Sequence, residues 1–417
     1  MCIRDSNAGL PIPPGFVVTA QAYKFFIEQT NIKDKILGFL KNLDVEDTDK
    51  LQATAKQIQD MIVSTEMPKE IKKEILEAYD TLSIKDSKKA DEIIKPETLA
   101  FVAVRSSATA EDRPEASFAG QQATFLNVKG YDEITKAVQK CWASLFTARA
   151  IYYREKNNFS HEKVLIAVVV QKMVNSDKAG VMFSINPATN NANEIVVEAA
   201  FGLGEAVVSG QVSPDLYIID KATNNVIKAE VKEQKIKIIR DQKTGENITK
   251  KLSLAEEKER VLNDKELYEL ARLAKKIEKH YSKPQDMEWA IEKDKVYIVQ
   301  SRPVTTFKPR QEERAEIPEE KKILVKGETA SAGIAAGPVK MVLSMQDLDK
   351  VQKGDILVTT MTTPDMVPAM QRAAAIITQE GGLTCHAAIV SREMGTCLLY
   401  TSDAADELDG VDLGGRR

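Results

Sequence analysis

Apolar positions along this chain change their period several times, and each change marks an element. Residues 7–19 form a proline-rigid turn feeding a short strand, after which Thr19 caps a helix running through Gln29. The charged stretch 31–95 places Ile71, Ile75 and Leu76 at helical spacing and reads as a scaffold of helices. One long amphipathic helix is expected over 132–156, with Ile134, Val138, Trp142, Leu145 and Phe146 on a core-facing stripe. Continuous apolar runs at 101–104, 164–170, 180–184 and 194–198 read as buried strands. Over 217–252 apolar residues alternate with lysines, the pattern of exposed antiparallel strands. A helix over 264–281 follows, with Leu267, Leu270, Ala271, Ala274 and Ile277 on one face. The segments 285–292 and 295–303 then read as two strands about the turn Lys293-Asp294, which predicts a hairpin.

Residues 308–322 are charge-dense, carry Pro309 and contain almost no apolar side chain, so a domain boundary belongs there. Beyond it strand 354–358, a helix starting near Thr363, strand 373–378 and a helix after Thr384 alternate in the manner of a small α/β domain. The expected architecture is α/β (α+β). It divides into a nucleotide-binding domain at 7–307, a linker at 308–322 and a second domain at 323–396.

Composition narrows the function classes. The chain has 417 residues, 43% apolar and 29% charged, enough for two or three cores. A net charge of −4 leaves no basic footprint for nucleic acid. The longest aliphatic run, 164–170, falls far short of the roughly 20 residues that span a bilayer. Cys2, Cys141, Cys385 and Cys397 show no paired spacing, so neither a disulfide framework nor a zinc site is indicated, and a cytoplasmic location is expected.

Three places carry candidate chemistry. His386 stands at a helix entrance behind Gly381-Gly382, where unpaired amides and the helix dipole favour an anion and disfavour an imidazolium. A neutral histidine beside an anion hole suits carrying a phosphoryl group, although a polar cap residue would look the same. In the hairpin, period two puts Asp286 and Glu288 on one face of the first strand and Gln300 and Arg302 on one face of the second. Oxygen ligands beside a fixed cation are what Mg-ATP requires, and a solvent-facing polar side of a hairpin would give the same pattern. Arg105, ending the strand at 101–104 before a loop through Gly120, can fork onto phosphate oxygens or pair with Glu111 or Asp112.

The run Gly381-Gly382-Leu383-Thr384-Cys385-His386-Ala387-Ala388-Ile389 resembles the phosphohistidine signature of the phosphoenolpyruvate-utilising enzymes, and its Thr-Cys-His form most resembles the phosphoenolpyruvate synthase branch. The segments 104–107 with 120–121, and 285–303, are similar to the family's ATP-grasp strands. Gln171-Lys172-Met173-Val174 resembles the hinge that holds adenine through backbone contacts.

That resemblance implies an ATP-grasp domain followed by a swivelling phosphohistidine domain. It implies Glu288 and Gln300 as ligands for Mg2+, and Arg105, Glu198, Asp286 and Arg302 as contacts to ATP. Arg105, Arg302 and His386 become catalytic, with His386 passing phosphate to pyruvate in a barrel that these 417 residues do not contain. It further implies regulation by a kinase or phosphatase at Thr384, and a homo-oligomer at full length. A pyruvate phosphate dikinase, or a non-catalytic ATP-binding phosphocarrier, is the alternative. The family's glycine-rich loop with its ATP-binding lysine is not found before residue 7. Residues 1–6 and 397–417 match nothing expected there and are read as non-native ends.

Overall fold

A computed structural model describes residues 8–41, 43–45, 47–84, 99–108, 123–156, 159–208, 210–241, 244–304, 325–363, 366–382 and 385–401. Residues 1–6, the linker 308–322 and the tail beyond Thr401 lie outside them.

The first body is an antiparallel sheet of β1 (Gly15–Val18), β2 (Val102–Ala108), β3 (Thr124–Val128) and β4 (Ile166–Lys172), in the order β1-β4-β2-β3. Around it lie α1 (Ala20–Gln29), α2 (Lys33–Leu40), α3 (Thr48–Ser64), α4 (Lys69–Ile84), α5 (Tyr131–Ala143) and α6 (Ala148–Lys156). Thr19 caps α1 as its sequence position predicts, accepting the Ala22 amide at 3.3 Å. The single helix expected over 132–156 is instead two, separated by a 3-10 turn at Ser144–Phe146. Local side-chain bonding breaks it: Ser144 Oγ donates to the Cys141 carbonyl at 2.6 Å, and Thr147 Oγ1 accepts the Ala150 amide at 3.2 Å, capping α6. The apolar stripe survives the break. Ile134, Val138, Trp142, Leu145 and Phe146 are all buried, with the Phe26 and Tyr23 rings 4.8 and 5.9 Å from that of Trp142.

The second body is a six-stranded antiparallel sheet of β5 (Lys178–Phe183), β6 (Glu194–Phe201), β7 (Asp215–Asp220), β8 (Val226–Glu230), β11 (Gln285–Glu292) and β12 (Lys295–Pro303). Its order is β12-β11-β5-β6-β7-β8. The short helix α7 (Glu205–Val208) and the two-stranded ribbon β9 (Ile236–Arg240) with β10 (Asn247–Lys251) complete it, together with α8 (Asp264–Tyr281). Asn263 and Glu266 close a capping box at the start of α8, where the sequence places a helix. Its apolar stripe covers Met182, Val197, Tyr217, Met287 and Trp289, which share one buried cluster with it. Not all of 217–252 is exposed as the alternation suggested. β7 is buried in the sheet because Leu216 to Ile219 is apolar on both faces, whereas Ile227 and Ile248 in the lysine-alternating strands are exposed.

The third body is a sheet of β13 (Glu328–Ser331), β14 (Val339–Met341), β15 (Ile356–Thr359), β16 (Ala375–Thr378) and β17 (Cys397–Tyr400), ordered β13-β17-β16-β15-β14. Strands β14 to β17 run parallel, and α9 (Val367–Arg372) and α10 (His386–Met394) lie between them in the chain. Residues 397–400, counted with the tail from sequence, form an interior strand with Leu398 and Tyr400 buried. This body covers the face of the six-stranded sheet opposite α8. Val181, Phe183, Val196 and Leu216 share one core cluster with Leu357, Ile376, Ala388 and Leu398. Among the described residues no helix is long and apolar enough to cross a membrane.

Candidate functional site

The hairpin forms with the predicted limits and turn. Lys293 and Asp294 both take left-handed backbone angles, φ 49° and 64°, the pair that lets a two-residue turn follow the twist of its strands. Register sets Asp286 opposite Arg302 and Glu288 opposite Gln300. Across the next strands Glu288 pairs with Val181, and Val181 with Glu198. Cross-strand partners share a face. Asp286, Glu288, Gln300, Arg302 and Glu198 therefore stand on the face that the third body covers.

Within that face the side chains form two contacts. Arg302 Nε donates to Asp286 Oδ2 at 2.8 Å, a carboxylate that is itself buried. Arg105, projecting from β2 of the first body, donates through Nη1 to Gln300 Oε1 at 3.0 Å and stands 4.0 Å from Glu288 Oε2. Its Nε is buried with no hydrogen-bond partner among the described residues. Glu111, Asp112 and the loop 109–122 lie outside them. Arg105, Glu288 and Gln300 thus meet across two sheets, while Asp286 and Arg302 pair one step further along the hairpin. In the hinge segment the Lys172 and Met173 amides already donate to the Pro14 and Phe101 carbonyls, each at 2.9 Å.

His386 is the first residue of α10, so the histidine is at a helix entrance as expected, but the cap is Cys385 rather than Thr384. The reason is backbone geometry. Cys385 holds extended angles, φ −66° and ψ 164°, and its thiol makes no capping bond. Thr384 lies outside the described residues. The imidazole Nδ1 is 2.9 Å from Thr362 Oγ1, a buried hydroxyl on the loop after β15. When Nδ1 carries the proton and Thr362 accepts it, Nε2 keeps its lone pair. Burial is the main force holding the His386 pKa below the ordinary histidine value, and the positive charge of Arg149 adds to it. Both effects favour the neutral ring.

Helix α10 also carries Arg392 into the sheet face. Its guanidinium lies 5.8 Å from the Phe183 ring centre and donates to the Ala330 carbonyl at 3.0 Å. Burial lowers its pKa, opposed by attraction to Asp286 and Glu198. Thr362, Arg149 and Arg392 belong to no motif recognised in the sequence. Arg392 alone left a signal, a cation in the last turn of a helix beginning at the candidate histidine.

The donor set suits a hard cation held mostly by phosphate. Among the described residues no three of His, Cys, Asp and Glu gather as a metal cage. The carboxylate of Glu288 and the amide oxygen of Gln300 are the kind and number of ligands that magnesium takes from protein when phosphates supply the rest.

The family model described as the pyruvate phosphate dikinase AMP/ATP-binding domain matches residues 1–322, and that of the PEP-utilising enzyme mobile domain matches 351–413. A probable phosphoenolpyruvate synthase of Archaeoglobus fulgidus is 54% identical over 410 residues, covering 97% of this chain and 53% of the relative. The corresponding protein of Methanothermobacter thermautotrophicus is 50% identical over 404 residues, covering 97% and 57%. The phosphoenolpyruvate synthase of Pyrococcus furiosus is 47% identical over 445 residues, covering 97% and 53%. The chain thus spans about half the length of these curated relatives.

Proposed function

The chain belongs to the pyruvate phosphate dikinase AMP/ATP-binding family and carries the mobile domain of PEP-utilising enzymes behind that match; from this premise we propose that it is the ATP-using, phosphohistidine-bearing part of a pyruvate, water dikinase. In this reading a nitrogen of His386 bonds to the β-phosphorus of ATP as the bond to the α-phosphate oxygen breaks and AMP leaves, and water then takes the γ-phosphoryl group, releasing phosphate and leaving the β-phosphoryl group on the histidine. The phosphorylated domain then carries the group to pyruvate, whose enolate oxygen takes it, giving phosphoenolpyruvate in a barrel outside these 417 residues.

One observation carries the proposal. The helix that starts with His386 is seated on the sheet face bearing Asp286, Glu288, Gln300 and Arg302, so the histidine helix and the groups read as holding Mg-ATP share one side of one sheet. Arg105 and Arg302 hold and neutralise the triphosphate, and the partnerless Nε of Arg105 is a donor suited to a phosphate oxygen. Glu288 and Gln300 hold Mg2+, which would supply charge neutralisation at the phosphates. Asp286 orients Arg302. Glu198, also read as a nucleotide contact, is buried and lies against Gly382 of the loop before the histidine. Division into a nucleotide domain over 7–307 and a phosphohistidine domain from 323 follows the same reading. Thr384 is the proposed regulatory site, since a phosphate there would occupy the anion hole beside His386.

The test is incubation with ATP labelled at either the β or the γ phosphorus. Label from the β position on the protein, abolished in His386→Ala, is expected. Intact ATP binding with no transfer would replace the reading with a non-catalytic phosphocarrier. Thr384→Glu is expected to slow labelling at unchanged fold, and an unchanged rate would remove the regulatory site.

A further inference from the structure

The glycine pair before His386 answers to two different neighbours. Gly381 has φ +153°, and a methyl group there would meet Cys385 Sγ at 3.2 Å, with Thr378 Oγ1 and Tyr400 Cβ at 3.6 Å. Every one of those atoms belongs to its own body. Its glycine is required by the loop itself, wherever the third body sits.

Gly382 has no left-handed angle to demand glycine. A methyl group on it would instead meet Glu198 of the second body, with Oε1 at 2.9 Å and both Cδ and Oε2 at 3.3 Å. The whole carboxylate is stacked against the loop, and it has little room to retreat: Glu198 is 2% exposed. Val181 and Leu216 are its cross-strand neighbours, and both belong to the apolar cluster shared by the two bodies. A carboxylate buried between these two apolar neighbours is costly unless docking brings it partners. The third body brings Arg392, attracted to both Glu198 and Asp286. At a second close approach a methyl group added to Gly210 would meet the Met361 methyl at 2.6 Å, on the loop that leads to Thr362.

We propose that Glu198 and Gly382 form the contact that seats the histidine loop on the nucleotide body. Position 382 is glycine because the carboxylate leaves no space for a side chain in that pose. Glu198 is then a positioning residue. It holds the loop from which His386 enters its helix. That the seated pose is the one in which His386 is loaded rests on the proposed function; the contact itself does not.

The experiment is small-angle X-ray scattering of the chain without nucleotide, for the wild type, Gly382→Val, Glu198→Ala and the double variant, with thermal unfolding of each as a control for folding. The wild type is expected to scatter as the three seated bodies. Gly382→Val is expected to expand the particle by lowering the seated population at least about tenfold. In the Glu198→Ala background the same valine is expected to have little further effect, because the atoms that it struck are gone. Gly382→Ala serves as the milder substitute where valine lowers the unfolding temperature. Equal expansion by valine with and without Glu198, or none in either, overturns the proposal, as does an extended wild type. Because no ATP is present, a chain that seats as expected yet takes no label would sink the proposed reaction and leave this contact standing.

Discussion

Arg105 Nη1 lies 3.0 Å from Gln300 Oε1, so the middle of β2, where the sequence placed a strand end, is tied to an edge strand of the second sheet by residues 195 positions apart. The same guanidinium stands beside Glu288 and keeps a buried Nε with no partner among the described residues. Only a planar fork can serve these directions at once. Arg105→Lys is therefore expected to lose ATP-dependent labelling of His386 by roughly 10²-fold or more, the scale seen when one donor to a developing charge is removed. A rate within threefold of wild type would show that Arg105 only ties the sheets.

Thr362 is expected to set the tautomer of His386. Thr362→Val removes the 2.9 Å partner of Nδ1 while keeping the shape of the side chain. Labelling should fall about tenfold or more, the range found for partners that orient a reactive imidazole. Thr362→Ser should restore most of it. Nitrogen NMR of the ring separates this role from simple packing, since valine should mix the tautomers where serine does not.

The pH dependence follows from burial of the neutral ring. The folded pKa of His386 lies below its unfolded value near 6.5, so between the two the unfolded chain binds more protons. Stability from this group is complete above about pH 6.5 and is lost as pH falls through that window. The rate of labelling should keep its plateau to below pH 6.5, with the His386 titration seen by NMR in the same place. A midpoint at or above 6.5 would contradict a desolvated ring beside Arg149.

Asn263→Ala should cost about 1 kcal/mol of stability, because it opens the capping box of α8 and leaves the Glu266 amide without its acceptor. Urea unfolding followed by circular dichroism measures this. Trp289→Ala should cost more, about 3 to 5 kcal/mol, since its ring is 1% exposed and fills the layer between the sheet and α8.

Local chemistry was legible wherever it obeys a period. The sequence alone determined the limits of the hairpin and its two-residue turn, whereas a bulge between Glu288 and Trp289, which the spacing does not reveal, sets Glu288 opposite Gln300 and Asp286 opposite Arg302. It also determined α8, the cap on α1, the mixed α/β architecture and the placing of His386 at a helix entrance. It misjudged 132–156 because an apolar stripe records which face is buried and is indifferent to a side-chain bond that interrupts the backbone. It misjudged β7 because a strand buried on both faces hides inside a longer alternating stretch. Tertiary structure alone decided which partners those elements meet. Arg105 reaches Gln300, Thr362 reaches His386, and Glu198 comes to rest under Gly382, each across a sequence separation that carries no periodic signal. Spacing constrains neighbours on one element. Contacts between bodies are set by which apolar faces cover one another, and that is settled only when the chain is packed.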